Sequence, residues 1–333
     1  MALQSASESC KTLQLHSSGI EKLRAALGKR VSSMEPLAAH TSFRVGGPAD
    51  LFATARSAAE LVELARLARE HDVPYFVLGG GTNILVSDRG VRGLVIHNQS
   101  RDVKTQFMAS PSLPEGNANS SVQCVLEAES GVLLSHLVNY TTRLGLAGLE
   151  WAAGIPGTLG GAIVNNAGAF GSAMSDIVQG VSVLDPDGRI SIWDAARLAF
   201  GYRTSCLKRE PNRGHILLSA KLLLRREAMA TLQARLAEYA TKRREKQPKE
   251  ASAGSVFMNP PGDHAGRLIE QAGLKGLQVG DAQVSPQHAN FIVNLGQAKA
   301  SEVYTLIEMV RERVYRQANV SLDLEIQLVG DWM

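Results

Sequence analysis

Two glycine-rich segments carry the first chemical signal in the sequence. Gly79-Gly80-Gly81-Thr82-Asn83 lies between two apolar runs, Tyr75 to Leu78 and Ile84 to Val86. Glycine adopts positive φ at little cost and lets backbone N–H groups crowd toward a ligand. Successive N–H groups in such a turn form an anion nest, and a diphosphate is its natural guest. Taken alone, the loop reads more simply as a tight strand-to-strand turn that holds nothing. It is not a Rossmann fingerprint, because Ile84 stands where the third glycine belongs and a strand follows where a helix should start. It is not a P-loop, because no Gly-Lys-Ser/Thr follows.

The second segment runs from Gly154-Ile155-Pro156-Gly157-Thr158-Leu159-Gly160-Gly161-Ala162 to Gly171, with six glycines in eighteen residues and no charge. That density is too high for a helix interior or an ordinary strand. The missing charge argues against a solvated linker. A buried backbone touching a large flat ligand fits both facts; a glycine-packed structural turn is the alternative. Two such loops in one domain favour a dinucleotide cofactor.

Among the ionisable residues, Glu325 stands out by position. It sits in Val320 to Leu328, where Val320, Leu322, Leu324, Ile326 and Leu328 alternate with polar residues. That pattern predicts a strand with Glu325 on the polar face, open to a cleft. A solvated strand carboxylate is the plainer reading. The run Lys242-Arg-Arg-Glu-Lys246 offers cations for a diphosphate at Lys246, although most of it reads as the solvated face of a helix. His288 and Asn290 are candidates for a pocket or for ordinary structural polar groups. The three cysteines, Cys10, Cys124 and Cys206, are odd in number and form no C-x-x-C pair. They read as free thiols in a reducing compartment, neither disulfide framework nor zinc ribbon.

The elements that must position these groups can be placed coarsely. Met1 to Gly19 reads as a polar tail and Ile20 to Leu27 as a short helix. Strands are expected at Leu51 to Ala55, Tyr75 to Leu78, Ile84 to Val86, Gly93 to Ile96, Cys124 to Ala128 and Leu217 to Leu224. Ser57-Ala-Ala-Glu60 is a capping box that opens a helix with Leu61, Leu64, Ala65 and Ala68 on one face. Asp102 to Gln123 has the composition of a loop. Val181 to Ile192 reads as a hairpin across Asp-Pro-Asp-Gly. Helices are expected over Leu133 to Leu144, Ala228 to Arg244, Asp263 to Ala272 and Ser301 to Gln317. Phe291 to Leu295 is a further strand. The composition changes near Arg225, where a domain boundary is placed. This is an α+β pattern.

Composition bounds the function. The 333 residues are 44% hydrophobic and 20% charged, with a formal net charge of +3. That is ample for two or three compact units and does not call for nucleic acid. Aromatics are 5% of the chain and are not interleaved with the basic residues, which disfavours single-strand binding. No apolar run reaches membrane-spanning length and the N-terminus lacks a secretory core, so a cytoplasmic protein is expected.

At this point the chain closely resembles the UDP-N-acetylenolpyruvoylglucosamine reductases (UDP-N-acetylmuramate dehydrogenases). The segments that carry the likeness, in the family's order, are His40-Thr-Ser-Phe-Arg-Val-Gly-Gly-Pro-Ala, Leu78-Gly-Gly-Gly-Thr-Asn-Ile-Leu, Gly148-Leu-Glu-Trp-Ala-Ala-Gly-Ile-Pro-Gly-Thr-Leu-Gly-Gly-Ala, Phe200-Gly-Tyr-Arg-Thr-Ser, Ala253-Gly-Ser-Val-Phe and Leu324-Glu325. Each is weak alone; together they are specific. The resemblance implies a two-lobed FAD-binding unit of the vanillyl-alcohol-oxidase (PCMH) type over about 20–225, with lobes near 20–97 and 98–225. An α+β substrate-binding domain follows over 226–333. The likeness is to the shorter subtype, which lacks an inserted tyrosine-bearing loop. Glu127-Ala-Glu-Ser-Gly131 departs from the family's small, uncharged pattern.

The resemblance further implies non-covalent FAD, NADPH as electron donor and reduction of UDP-N-acetylglucosamine enolpyruvate to UDP-N-acetylmuramate by a monomer. Gly79, Gly80, Gly81, Thr82 and Asn83 are implied FAD contacts. So are Gly154, Ile155, Pro156, Gly157, Thr158, Gly160, Gly161 and Ala162. Arg203 matches the arginine that polarises the substrate carboxylate, Ser255 the proton donor and Glu325 the third catalytic position. Tyr202, Lys246 and Asn259 match contacts to the UDP-sugar, and no metal is implied. Two rival readings are an oxygen-using flavin oxidase on the same scaffold and a nucleotide-binding module without catalysis.

Overall fold

The computed structural model describes residues 18–107, 123–209 and 214–332. The expected tail therefore lies outside the described residues up to residue 17, and helix α1 occupies 18–27.

The first lobe contains β1 (Val31–Pro36), β2 (Pro48–Ala55), α2 (Ala58–Glu70), β3 (Tyr75–Leu78), β4 (Ile84–Val86) and β5 (Val91–Asn98). Four of these strands form a sheet in the order β1-β2-β5-β3, in which β2, β5 and β3 are parallel and β1 is antiparallel. Ser57 caps α2 by accepting from the Glu60 N–H, and the Glu60 carboxylate reaches back to the Arg56 N–H. The capping pair stops the chain from fraying where it turns onto the sheet. The buried face of α2, Leu61, Val62, Leu64, Ala65 and Ala68, follows the helical period of the sequence.

The second lobe runs through β6 (Val103–Phe107), β7 (Gln123–Glu129), α3 (Leu134–Arg143), β8 (Leu146–Ala147), α4 (Leu159–Val164), β9 (Gly168–Ala169), β10 (Ser172–Ala173), β11 (Val178–Leu184), β12 (Ile190–Asp194), α5 (Cys206–Arg209), β13 (Ile216–Arg226) and α6 (Met229–Lys246). Its sheet has the order β12-β11-β13-β7-β6 with β8 also on β13, and every pairing is antiparallel. Helix α6 packs on this lobe, where Leu236 and Tyr239 meet its core. Glu129, in the segment that departs from the family pattern, accepts from the N–H groups of Ala58 and Asp102 and so joins the lobes.

The last unit contains β14 (Ala251–Ser255), α7 (Ala265–Gln271), β15 (Gln278–Val279), β16 (Ala282–Val284), β17 (Phe291–Asn294), α8 (Ala300–Ala318) and β18 (Gln327–Val329). Its antiparallel sheet, β14-β17-β16-β15, is covered by α8 through Val303, Leu306, Ile307, Val310 and Val314. Phe43, Val45 and Leu85 of the first lobe belong to the same core. Strand β18 leaves this unit and pairs in parallel with β4.

Three expectations are corrected. Asp102 to Gln123 is not loop at its start, since Val103–Phe107 pairs with β7. An edge strand that buries little is free to be polar, and Lys104 suits it. Residues 108–122 lie outside the described residues. The second glycine segment does contain a helix, α4, with Gly160 and Gly161 inside it. Thr158 caps that helix, and a Cβ at Gly160 would sit 3.0 Å from Ser130, so close packing outweighs propensity. Finally, Val320 to Leu328 is not one strand. Burial alternates there, but β4 is only three residues long and the ladder begins at Gln327.

The N-terminus of α8 is bonded across units: Asp88 accepts from the N–H groups of Ala300 (2.7 Å) and Ser301 (2.9 Å). Burial opposes ionisation of Asp88, but the Ser301 and Ala300 donors, with Lys299 nearby, hold its carboxyl below the ordinary range. Its contribution is complete above that range and is lost as pH falls through the lower folded value. Asp88→Ala should cost about 1 kcal/mol at neutral pH, read as a lower urea midpoint. The gap to the parent should close in acid.

Candidate functional site

The site is assembled from four separate stretches of chain. Gly201 and Thr204 bridge each other, and Arg203 sits at the tip of that turn with φ +56°. An L-residue holds this left-handed backbone only when neighbours enforce it. Here Asn166 donates to the Gly201 carbonyl (2.9 Å) and Ser205 to the Val164 carbonyl (2.7 Å), pinning the turn to the end of α4.

Ser255 ends β14 opposite Phe291. The chain beyond it is clamped by the buried Asn290, whose amide donates to the Phe257 carbonyl while its Oδ1 accepts from the Phe257 N–H. Asn290 thus has a structural task, and it also lines the cleft that holds Ser255. Glu325 follows in a bend; its N–H donates to the Val256 carbonyl at 2.8 Å.

Arg203 and Glu325 then meet. Arg203 Nε lies 3.1 Å from Glu325 Oε1, with both side chains largely buried, yet Nε makes no well-directed hydrogen bond. The contact is one of charge, with the guanidinium still able to direct its donors elsewhere. Burial pushes the Glu325 carboxyl above its ordinary range, and the charges of Arg203 and Lys208 pull it partly back. The site therefore favours a protonated carboxyl more than water does.

A cleft of about 390 Å³ brings together Arg203, Ser255, Glu325, Tyr202, Asn259 and His288. Five of the six residues expected to act on substrate line it. Tyr202 is exposed, with the Arg203 guanidinium carbon 5.4 Å from its ring centre. Asn259 also has a structural task, since its Oδ1 accepts from the Ala265 N–H at the start of α7. Lys246 stands exposed at the end of α6, outside that lining. It is tied to the cleft rim because Gln287 donates to the neighbouring Glu245 carbonyl at 2.9 Å. Burial holds the His288 imidazole below its ordinary value, and Lys275 and Lys246 push it the same way.

The two glycine loops interlock. A Cβ on Gly80 would stand 2.8 Å from the Gly157 Cα, and one on Gly157 2.8 Å from Thr82 Oγ1. Close approach of the loops thus accounts for part of the glycine content. The N–H groups of Gly80, Gly81 and Thr82 meet no protein acceptor among the described residues and so remain available to a ligand. Three successive free donors fit the diphosphate of a dinucleotide. Gly154, Pro156 and Gly161 are exposed on the facing loop, and Asn165 donates to the Gly161 carbonyl. Asn83 ties the first loop to the segment that holds Glu325: its amide donates to Asn165 Oδ1 (3.2 Å) and to the Glu325 carbonyl (3.1 Å). No group of three His, Cys, Asp or Glu among the described residues could hold a metal.

Sequence reading missed two cations. Lys208 donates to the carbonyls of Arg203 and Glu325, and its only signal was its place five residues after Arg203. Arg243 is half-buried within the run read as solvated, and its Nε donates to the Ala153 carbonyl at 3.1 Å, beside Gly154. With Arg244 and Lys249 it lines a second cleft of about 350 Å³. Nothing in the charge run distinguishes Arg243 from its neighbours.

The chain is similar to known proteins over most of its length. The family described as UDP-N-acetylenolpyruvoylglucosamine reductase, C-terminal domain, matches residues 247–329, and FAD binding domain matches 49–192. The UDP-N-acetylenolpyruvoylglucosamine reductase of Moorella thermoacetica is 43% identical over 93% of this chain and 97% of its own length. That of Caldanaerobacter subterraneus subsp. tengcongensis is 41% identical over 94% and 98%. The crystal structure of UDP-N-acetylenolpyruvylglucosamine reductase from Thermus caldophilus superposes with a TM-score of 0.71 at 36% identity, covering 90% of this chain and 98% of that one.

Two outcomes are expected. Arg203→Met removes a positive charge from beside Glu325, so the carboxyl should titrate higher still; carbon-13 NMR of the labelled carboxyl measures this, and a lower midpoint contradicts it. Gly80→Ala forces the two loops apart and should cost about 1–3 kcal/mol, measured by urea unfolding.

Proposed function

We propose a reaction for this chain, which belongs to the UDP-N-acetylenolpyruvoylglucosamine reductase family and is an FAD-dependent oxidoreductase: it uses NADPH to reduce the enolpyruvyl ether of UDP-N-acetylglucosamine to UDP-N-acetylmuramate, a step of peptidoglycan precursor synthesis. Its fold is the two-lobed FAD-binding unit of the vanillyl-alcohol-oxidase type followed by an α+β domain. In this proposal the FAD-binding unit spans 20–225 and the substrate domain 226–333, although α6, which opens the latter range, packs on the second lobe and is described with it. Action as a cytoplasmic monomer belongs to the same proposal. No helix of the described residues is long and apolar enough to cross a membrane.

The FAD would lie against Gly79 to Asn83 and Gly154 to Ala162. When bound, it supplies a hydride from N5, drawn from NADPH, to the terminal carbon of the enolpyruvyl group. The neighbouring carbon then carries negative charge spread into the carboxylate. Arg203 grips that carboxylate, since a guanidinium fork matches it geometrically and keeps its charge at any working pH. Glu325, raised by burial toward its protonated form, hydrogen-bonds the developing enol. Ser255 delivers the proton to the charged carbon. An alcohol is a weak acid, so it acts only at hydrogen-bond range with the anion already stabilised by its neighbours. Tyr202, Asn259 and Lys246 hold the UDP-sugar.

The observation that carries this reading is the convergence of Arg203, Ser255 and Glu325 on one cleft, with the Glu325 carbonyl bonded to Asn83 of the first glycine loop. The test is anaerobic. NADPH should bleach the flavin, and the UDP-enolpyruvyl sugar should restore its colour with formation of UDP-N-acetylmuramate. Reoxidation by air alone, with the sugar ignored, would make the protein an oxidase. Ser255→Ala should still bind FAD and be reduced by NADPH while losing nearly all product formation. Full turnover by that variant removes Ser255 from the mechanism.

A further inference from the structure

We propose that Lys208 is a positioning residue of the reduction step, an ammonium that clamps the backbones of Arg203 and Glu325 so that guanidinium and carboxyl face the same substrate group. The inference rests on the functional reading above. Lys208 Nζ lies 3.2 Å from the Arg203 carbonyl oxygen and 3.2 Å from that of Glu325. The two carbonyls come from different units of the fold. The Glu325 carbonyl also accepts from Asn83, so three segments meet on one oxygen.

The choice of partners is informative. A lysine that served only to neutralise Glu325 would pair with its carboxylate oxygens. This one donates to main-chain oxygens and leaves the carboxylate to Arg203. The Arg203 backbone needs such a clamp, because its left-handed φ of +56° is not self-supporting. A compact ammonium with three rotatable donors can serve two carbonyls at once.

The charge has a use as well. Arg203, Lys208 and Glu325 face one another, and Arg243 acts on Arg203 from α6. Two cations thus stand beside one carboxyl at the place where the substrate would develop negative charge. Burial lowers the Lys208 ammonium from its ordinary value; Glu325 opposes that shift and Arg203 adds to it. A half-buried ammonium kept beside a second cation costs stability, which a purely structural position would avoid with a neutral side chain.

The experiment compares parent, K208M and K208R holoenzymes by anaerobic stopped-flow, with each half-reaction followed separately. In K208M, reduction of bound FAD by NADPH should stay within about twofold of the parent. Reoxidation of the reduced enzyme by the UDP-enolpyruvyl sugar should slow about 100-fold, the scale of an ångström-sized misplacement. K208R, which restores the charge but not the reach, should recover roughly a tenfold part of that loss. Unchanged reoxidation in K208M overturns the proposal, as does equal slowing of both half-reactions. If K208M does not retain FAD, K208Q is read in its place by the same two criteria. A parent enzyme that ignores the sugar refutes the functional reading itself; a normal parent with an indifferent K208M refutes only the role of Lys208.

Discussion

The pairing of β18 with β4 is the contact on which the site depends. It is three residues long, and it carries the segment holding Glu325 back across the molecule to the first glycine loop. The ladder starts where the Gln327 N–H donates to the Asn83 carbonyl. Glu325, two residues earlier, is thereby set beside the Asn83 amide. So short a strand pair is weak alone. It is supported by the Ser87 N–H donating to the Val329 carbonyl, by Ser87 Oγ donating to the Asp331 carbonyl, and by the Phe43, Val45 and Leu85 side chains that enter the C-terminal core.

Around that contact the molecule divides its labour by unit. The second lobe presents Arg203 on a turn held to α4. The C-terminal unit presents Ser255 at the end of β14. The glycine loops keep their backbone donors available because glycine on both sides permits close approach without side chains between. Charge is concentrated where the three units meet, and burial there raises a carboxyl and lowers an ammonium. Desolvation is costly for each group alone; arranged together they partly compensate one another.

Much of this was legible in the sequence wherever local rules decide. The cap at Ser57, the face of α2, the apolar stripe of α8 and the strand–loop–strand setting of Gly79 to Asn83 follow from period and capping alone. The readings that failed were those in which tertiary contact overrules composition. Val103–Phe107 is a strand because β7 offers an edge. Leu159–Val164 is a helix despite two glycines because Ser130 leaves no room for a Cβ at 160. The alternation around Glu325 gave its cleft-facing side but overstated the strand, since alternation reports burial and the ladder needs a partner of matching length; the carboxyl there is largely buried. The convergence of Arg203, Ser255 and Glu325 had no local signal, and family likeness supplied it. Lys208 and Arg243 had neither, because their place as half-buried donors lies entirely in which carbonyls they reach.

The bond between Asn83 and the Glu325 carbonyl spans 242 residues of chain. Closing so long a loop is entropically expensive and slow, so contacts of this kind form after local structure has settled. The cleft that gathers Arg203, Ser255 and Glu325 therefore has no partial version. An intermediate with both lobes folded but β18 unpaired would possess the glycine loops, and with them the free donors proposed for the cofactor, yet lack Glu325 at the cleft. Amide hydrogen exchange along Gln327 to Val329 would then report the competence of the enzyme more faithfully than the yellow colour of its flavin.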